Sequence, residues 1–576
     1  MNKKILSALI LILFVLSGSA QELRLSKSVI ITNSVKVKRN IYHLAASGDL
    51  DQPVVLIKGN NIVVDFNNAI LIGSNSADTP DTYKGVAVII KDAQHVTVKN
   101  LTVKGYKIAL LAEDVSNLTL ENCDFSYNYR KNLESIEPKE IKLHHNEAPK
   151  SLTEYLHKHG AAISLQRCNN AIVRNCRVTN GQNALVLSES NNGLFYNNDF
   201  SFNSGVGVEM KQSSNNKLLY NKVRFNISFN SLDPIKGMLS GAGFVLHENS
   251  NGNLFFKNAA MHNGNGLSIG SIGAGCHNNI VFGNDFSFSR QDGIILGFNS
   301  NQFINNRIFE CNRGIVGSYS YQTRISENQF RNNKVAIAIT NGRQNIINHN
   351  IFVNDEEAIR LSLQKDSTAG TIAIAHSEKE VNRGYILISN SFNKNAIVYN
   401  LSNLDSIAVF GNYYSRDEAF EFNSNVTGID DEYNDSLLVA LSEDIHIDTP
   451  AINNPINPFK GGGKLAGTKN IKMTKWGPYD FTYPIILRSQ SSDSLAKNEF
   501  LVLGPRGKWH IIETKGGSGV SKKRGNSGER FLLLSDDSAI NELQITAAFK
   551  GDSYVDAFGK FKPAKKKHRF HFTMAK

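Results

Sequence analysis

The chain has 576 residues, with 63 lysines and arginines against 52 aspartates and glutamates, a formal net charge of +11. No basic-aromatic motif marks a nucleic-acid binder, so the anionic partner that we expect is an acidic polysaccharide or surface glycan; a merely soluble basic surface explains the charge as well. The five cysteines have no CxxC or zinc-ligand spacing, so we expect buried structural thiols and no metal or cofactor.

Residues 1–20 have the pattern of a secretory signal peptide. A basic "MNKK" precedes the apolar "ILSALILILFVLSG", and "GSA" supplies small residues before a predicted cut after Ala20. A single-span anchor is the alternative, although this run is shorter than the roughly 20 residues that a span needs. No later apolar run could cross a membrane. We therefore expect an exported chain, periplasmic or extracellular, with no membrane span after signal cleavage.

Residues 21–50 contain "LRLSKSVIITNSVKVKRNIYHL", in which apolar and polar residues alternate. Alternation of this kind predicts strand. We expect this region to be an N-terminal capping strand, because a stacked repeat needs its open edge closed.

An asparagine recurs after short apolar stretches, and six of its eleven spacings are 22 residues. A second marker, Gly or Ala followed by alternating apolar residues, precedes it in "GAAISL", "NALVL", "GVGVEM" and "GAGFVL", with Asn-rich corners between the two. The recurring positions are Asn100, Asn122, Asn175, Asn197, Asn221, Asn258, Asn284, Asn306, Asn328, Asn350, Asn390 and Asn412.

Two or three short strands in 22 residues leave no room for helices. Such repeats bury their apolar face only by stacking, with strands of successive coils paired in parallel about 4.8 Å apart. The prediction is an all-β chain whose residues 51–425 form a parallel β-helix solenoid of about twelve coils, with the asparagines stacked as a ladder of amides.

This pattern resembles the right-handed parallel β-helix proteins of the pectin-lyase-like superfamily, and its Asn-rich coils resemble NosD-like periplasmic proteins. The resemblance implies the fold for about two-thirds of the chain. It does not imply one activity, because this scaffold carries lyases, hydrolases, epimerases and binding proteins. No aspartate column resembles the calcium site of pectate lyases, and the "NTD" and "GHG" motifs of polygalacturonases are absent, so no catalytic residue is carried over.

After the coils, residues 426–469 are rich in Pro, Asn and Gly and are predicted to be a linker. Residues 470–576 contain alternating strands, typical of a small antiparallel β-sandwich-like domain. The cluster "KWGPYDFTYP", with Trp476, is either a sugar-stacking surface or a packed plug between domains.

Two insertions interrupt the repeat, and a groove is expected between them. The first, residues 126–159, contains "SLTEYLHKHG", where Ser151 and Glu154 form a capping box and Gly160 suits the residue after a helix. The predicted helix carries His157 and His159. The second insertion, "SLDPIKGMLSG", carries Asp233 and Lys236. Strands of one sheet should follow at Gly160 and Gly241.

The stretch "GVGVEMKQSSNN" lies between the insertions. Its alternation places Val208 and Met210 inward, and Glu209 and Lys211 outward. The same register places Lys211 beside His247 on the next coil, and leaves the direction of Glu248 open. An ordinary surface ion pair is the alternative interpretation of Glu209 and Lys211.

Two chemistries fit these residues. β-Elimination or epimerisation of a uronate needs a base, for which Lys211 or His247 is a candidate, and a cation, Lys236 or Arg167. Hydrolysis needs two carboxyl groups, such as Glu209 with Asp233 or Glu248. The residues expected to bind substrate are Gln166, Arg167, His157, His159, Lys236 and Trp476.

The sequence also allows a non-catalytic glycan- or cell-surface-binding protein. A metal-handling role like that of NosD-like proteins is less well supported, since His and Cys show no ligand spacing. We expect a monomer.

Overall fold

The computed structural model describes residues 22–74, 80–130, 151–226, 241–270, 275–289, 291–297, 300–363, 382–415, 447 and 449–456. Beyond residue 415 it also gives the backbone of separate strands between residues 419 and 575. All structural statements below concern these residues.

The chain winds into a β-helix in which each coil adds one strand to each of two long parallel sheets. The first sheet has 15 strands and carries the site described below. Its strands are Val29–Ile31, Val55–Ile57, Val86–Gln94, Ile108–Ser116, Ala161–Gln166, Leu185–Ser188, Val206–Lys211, Ala242–His247, Asn265–Ile269, Asp292–Gly297, Arg313–Ser318, Val335–Thr340, Glu357–Ser362, Ile397–Ser402 and Ala419–Phe422.

The second sheet also has 15 strands, and a third, of five, joins it in the later coils. The second sheet comprises Val35–Lys36, Ile41–His43, Ile62–Ile72, Val96–Lys104, Thr119–Glu121, Ile172–Arg174, Leu194–Tyr196, Lys217–Leu219, Leu254–Phe256, Ile280–Phe282, Gln302–Ile304, Arg324–Ser326, Ile346–Asn348, Tyr385–Ile388 and Ile407–Phe410. The third comprises Arg307–Phe309, Gln329–Arg331, Ile351–Val353, Ser391–Asn393 and Tyr413–Tyr414.

The predicted all-β parallel solenoid is therefore confirmed, and it begins earlier than expected. The strand Val29–Ile31 already pairs in parallel with Val55–Ile57, so part of the predicted capping region forms coils of the solenoid itself. Of the 15 strands of the first sheet, Val29–Ile31 lies before residue 51 and the other 14 lie within residues 51–425, where the asparagine spacing indicated about twelve coils.

The core is a set of apolar columns along the solenoid axis. Val208 and Met210 are fully buried in it, as their alternation predicted. Phe330, Phe352 and Phe392 stack face to face on successive coils, with ring centroids 4.9 Å apart. Because equivalent positions of successive coils stack on one another, a chain built of short strands can bury a large apolar surface.

Buried asparagines form the predicted ladder at one corner. Nδ2 of Asn306 donates to Oδ1 of Asn328 and to the carbonyl of Val281, while its Oδ1 accepts from the backbone and side chain of Asn284. Amide ladders thus satisfy backbone groups that the turning chain would otherwise leave unpaired. The ladder runs through Asn198, Asn221, Asn258, Asn284, Asn306, Asn328, Asn350, Asn390 and Asn412.

For the first four asparagines of the series, the predicted ladder position is wrong by one residue. Asn100, Asn122, Asn175 and Asn197 have positive φ and stand at the corner itself, and Asn198 rather than Asn197 bonds to Asn221. Asparagine is favoured both at a left-handed corner and in an amide ladder, so an adjacent pair such as Asn197–Asn198 is ambiguous in sequence.

The C-terminal strands are antiparallel. One sheet contains Ile486–Ser489, Phe500–Gly504, Gly519–Arg524 and Arg530–Ser535, a second contains Gly507–Lys515, Glu542–Gly551 and His568–Ala575, and Tyr554–Val555 pairs with Phe561–Lys562. Antiparallel pairing agrees with the β-rich character predicted for residues 470–576; the sandwich arrangement stays a prediction.

A short part of the predicted linker lies against the solenoid. Asn197 holds it through its side chain, whose Nδ2 donates to the carbonyl of Asn454 and whose Oδ1 accepts from the backbone of Ile456. Ile447 and Ile452 pack beside Leu219, Leu254 and Phe256 on the outer face of the second sheet.

All five cysteines are buried and unpaired, which agrees with the expected structural thiols. Within the part of the chain that is described, none of the helices has the length and apolar character that a membrane span requires.

Candidate functional site

The site lies on the outer face of the first sheet, at the strand Val206–Lys211. Glu209 is in register with Val186 on the preceding coil and with Val245 on the following one, and Lys211 is in register with His247. The predicted outward direction of Glu209 and Lys211 is confirmed, because their neighbours Val208 and Met210 fill the core.

The first insertion ends in the predicted helix, α1, Leu152–His159. The hydroxyl of Ser151 accepts a 3.1 Å hydrogen bond from the backbone of Glu154, and Gly160 follows the helix with a φ of 62°. Leu152, Tyr155 and Leu156 pack on outward apolar residues of the sheet. The cap, the terminal glycine and this apolar side together fix the helix against the sheet.

Glu209 is held between two partners. Its Oε2 accepts a hydrogen bond from the hydroxyl of Tyr155, and its Oε1 lies 3.2 Å from Nε2 of His247. The side chain of Glu209 is 14% exposed and that of His247 is 22% exposed. The carboxylate is therefore enclosed on the protein side and still reachable from solvent.

Asn183 anchors the tyrosine. Its Nδ2 donates to the Tyr155 hydroxyl at 3.0 Å and to the carbonyl of Gly160 at 3.2 Å, while its Oδ1 accepts from the backbone of Val206 at 3.0 Å. Asn183 is 4% exposed. One buried amide thus joins the end of helix α1, the tyrosine and the start of the Glu209 strand.

The surroundings shift the pKa values of Glu209 and Tyr155 in opposite directions. Burial raises the pKa of Glu209, but the hydrogen bond and charge of His247, the hydrogen bond from Tyr155 and the charge of His159 outweigh it, so this pKa lies below its usual value. Burial, and then the charge of Glu209 and the hydrogen bond to it, hold the pKa of Tyr155 well above its usual value. At neutral pH the glutamate is ionised and the tyrosine keeps its proton.

A second pair lies one position further along the strands. Nζ of Lys211 is 3.7 Å from Oε2 of Glu248, and both side chains are substantially exposed, at 47% and 37%. The carboxylate of Glu248 therefore lies on the Lys211 side of the cluster. Four ionisable residues, Glu209, Lys211, His247 and Glu248, occupy two adjacent coils.

The remaining predicted residues lie around or outside this cluster. His159 contacts the ring of Tyr155, with ring centroids 4.9 Å apart, whereas His157 is exposed on the helix. Gln166 is in register with Ser188, which is in register with Lys211. The guanidinium of Arg167 makes two hydrogen bonds to Asp114, at 2.6 and 2.8 Å. Asp233, Lys236 and Trp476 lie outside the described residues.

Tyr155 and Asn183 were not among the predicted site residues. Tyr155 belongs to the predicted helix, and a helical wheel with Leu152 and Leu156 would have placed it on the side that faces the sheet. Asn183 stands just before the strand Leu185–Ser188 and looks like one more corner asparagine in the sequence.

No group of three or more His, Cys, Asp or Glu side chains that could hold a metal ion occurs among the residues described here.

This arrangement can move a proton. An ionised carboxylate that contacts an imidazole orients the ring and stabilises the imidazolium that forms when the ring accepts a proton. A neutral phenol beside the same carboxylate can donate a proton, and the ammonium of Lys211 can neutralise an anionic ligand.

A family model described as "Right handed beta helix region" matches residues 86–276 and 226–402. Among curated proteins, no sequence matches this chain.

Several solved structures are similar to part of this chain, each with a TM-score below 0.5. The A-module of mannuronan C-5 epimerase AlgE6 from Azotobacter vinelandii is 12% identical, with a TM-score of 0.39, covering 67% of this chain and 91% of that chain. The periplasmic alginate epimerase AlgG is 12% identical, with a TM-score of 0.36, covering 67% and 76%. DFA-IIIase from Arthrobacter chlorophenolicus A6 is 12% identical, with a TM-score of 0.33, covering 66% and 83%.

Proposed function

This chain belongs to the right-handed β-helix family, and we propose that it is a carbohydrate-active enzyme that removes the C5 proton of a uronate in an acidic polysaccharide. The reaction is β-elimination or C5 epimerisation, which share this first step. The observation that carries the proposal is the ionised carboxylate of Glu209, held between Tyr155 and His247 on the open face of the first sheet.

His247 is the base in this proposal. Its Nε2 contacts Oε1 of Glu209, so Nδ1 is the ring nitrogen that takes the C5 proton. Glu209 holds the ring and stabilises the positive charge that forms on it, as the carboxylate of a catalytic dyad does.

Lys211 supplies the cation. Its Nζ lies 3.7 Å from Oε2 of Glu248 on the exposed side of the cluster, where an ammonium can pair with an anionic ligand. When the C5–H bond breaks, its electron pair moves toward the uronate carboxylate, and an ammonium beside that group lowers the energy of the resulting anion. Lys211 takes the place of Arg167 in this role, since Arg167 makes two hydrogen bonds to Asp114; Lys236 lies outside the described residues.

Tyr155 is the proton donor. In elimination, the electron pair from C5 forms a C4–C5 double bond, the C4–O4 bond breaks, and O4 takes the phenolic proton. In epimerisation no other bond breaks, and a proton returns to C5 from the opposite face of the ring. The raised pKa of Tyr155 keeps its proton available for either step at neutral pH.

Hydrolysis is less well supported by the same geometry. A glycoside hydrolase needs a carboxylic acid that is protonated at its working pH, which environments achieve by raising the pKa. Glu209 has a lowered pKa and is ionised. Glu248, its described candidate partner, is engaged with Lys211.

A panel of acidic and neutral polysaccharides tests the proposal when four readouts are taken together. Ultraviolet absorbance of unsaturated uronate indicates elimination, and deuterium gained at C5 in heavy water indicates epimerisation. New reducing ends without unsaturation would indicate hydrolysis and contradict the proposal. Saturable binding without any product would favour the non-catalytic glycan-binding alternative.

We also propose that the chain is exported, to the periplasm or outside the cell, and acts as a monomer on its glycan. The support is the signal-like pattern of residues 1–20. Mass spectrometry of the protein recovered from its native cells tests this, because export predicts a mature chain that begins at Gln21.

A further inference from the structure

Helix α1 covers the outer face of the first sheet over its early coils. Leu152, Tyr155 and Leu156 pack there on an apolar surface made by Val86, Ile89, Ile108, Leu111, Ala161 and Val186. These residues point away from the core, because the alternate positions of the same strands fill it.

One row of outward residues shows where this cover ends. In the order of the coils, the Glu209 row consists of Ile89, Leu111, Ser164, Val186, Glu209, Val245, Ser268, Ile295, Val316, Ala338 and Arg360. The four residues before Glu209 are at most 4% exposed. Beyond Glu209, the side chains of Ser268, Ile295, Val316 and Arg360 are partly exposed, whereas Val245 and Ala338 are each 8% exposed.

The uncovered part of the row is long enough for several sugar residues. From Glu209 to Arg360 it crosses six coils, which at about 4.8 Å per coil is roughly 29 Å. Small and medium side chains form its floor. The cluster of Glu209 and His247 therefore stands at one end of this floor, directly against Tyr155 of the covering helix.

A second row of outward residues, which contains Lys211, runs parallel to the Glu209 row and passes beside the helix. Next to the helix this row consists of Gln166, Glu113 and Lys91, which are in register on successive coils. Lys91, Glu113 and Gln166 are partly exposed, so the path that helix α1 closes is the one over the Glu209 row, where Tyr155 contacts Glu209.

We infer that helix α1 is an end wall and that the enzyme acts on a chain end of its glycan. The glycan lies along the solenoid axis over the Glu209 row beyond the helix, and its terminal residue meets Tyr155 and His247. In elimination this is the reducing-end residue, because its C4–O4 bond is the one that joins it to the rest of the chain. This inference rests on the proposed function and adds the position of attack to it.

The test uses size-defined oligosaccharides of the polysaccharide that the panel identifies as substrate. Tandem mass spectrometry locates the new double bond, or the deuterium gained at C5. The end wall predicts that the first turnover modifies the terminal residue or releases it and, if the reaction is elimination, that the viscosity of the polymer falls slowly. Early modification of interior residues, accompanied by a rapid fall in viscosity if the reaction is elimination, would overturn the inference and leave the proposed function intact.

A variant that loosens the wall provides a second readout. Leu152→Ala removes apolar contact beneath the helix and should raise the fraction of interior products several-fold, whereas Thr153→Ala, on the exposed side, should not change it. An unchanged product pattern in a folded Leu152→Ala protein counts against the wall. If this variant fails to fold, the wild-type product pattern alone decides. If nothing in the panel is turned over, the proposed function fails, and with it this inference.

Discussion

The amide of Asn183 fixes the direction of the hydrogen bond between Tyr155 and Glu209. Its Oδ1 accepts from the backbone of Val206 at 3.0 Å, so Nδ2 is the atom that donates to the tyrosine oxygen. Because that oxygen accepts from Asn183, its own proton is directed to Glu209. A buried residue that would not touch substrate therefore positions the proton on which the proposed chemistry depends.

Asn183→Asp should disturb this arrangement with little change of shape. A carboxylate at this position can still accept from Val206, but it also accepts from Tyr155 and competes with Glu209 for the phenolic proton. We expect kcat to fall about tenfold or more while KM changes little, because this proton matters in the transition state. Asn170→Asp, at an exposed corner, is the control. A folded Asn183→Asp protein with wild-type kcat would rule out a positioning role.

Tyr155→Phe should change the pH dependence of the reaction. The variant removes a hydrogen bond that lowers the pKa of Glu209, so this pKa should rise. The ionised form of Glu209 is then lost at a higher pH, and the acidic limb of the pH–kcat/KM profile should move to higher pH. The rate at the optimum should fall about 100-fold if Tyr155 donates the proton. Thr153→Ala, on the exposed side of the helix, should leave both unchanged. A profile for Tyr155→Phe that matches wild type would contradict this role.

The solenoid could be predicted from the sequence because each coil repeats the same physical requirements. Apolar alternation identifies the core columns, and the 22-residue spacing sets the register, which placed Lys211 beside His247 correctly. The contacts of Glu209 could not be predicted in the same way. Tyr155 comes from an insertion 54 positions earlier, and no repeat spacing fixes where an inserted helix rests.

The amide ladder should be a large local source of stability. Asn306→Ala leaves the backbone N–H of Asn284 and the carbonyl of Val281 without their ladder partners in the interior. Each unpaired buried group costs about 1–3 kcal/mol, so the free energy of unfolding should fall by roughly 3 kcal/mol. Thermal unfolding measures this. Asn305→Gly is the matched control, since Asn305 is exposed and its φ of 53° suits glycine. Equal unfolding temperatures for the two variants would show that the ladder contributes little.

Asp355 replaces an asparagine in a neighbouring ladder and should make stability depend on pH. Its Oδ1 accepts from the backbone and side chain of Asn333, whereas its buried Oδ2 has no hydrogen-bond partner. Burial raises the pKa of this carboxyl from 3.8 to about 7. Between these pH values the folded protein binds more protons than the unfolded chain, so the contribution of Asp355 to stability falls as pH rises from about 4 to about 7.

Asp355→Asn should remove that dependence. The amide can donate as its neighbour Asn333 does to the carbonyl of Ile308, at 3.0 Å. We expect the variant to be more stable than wild type by roughly 2–4 kcal/mol at pH 8 and close to wild type at pH 4. Unfolding temperatures at both pH values give the comparison. A stability difference that is the same at pH 4 and pH 8 would refute the titration of Asp355.

The most direct test of the proposed chemistry compares Glu209→Gln with wild type on the polysaccharide that the panel identifies. Glutamine keeps the size of the side chain but cannot stabilise an imidazolium on His247. The account predicts that unsaturated product, or deuterium gained at C5, falls at least 100-fold, with the fold retained and with Glu327→Gln, an exposed corner glutamate, unaffected. A folded Glu209→Gln protein that turns over substrate at the wild-type rate would contradict it.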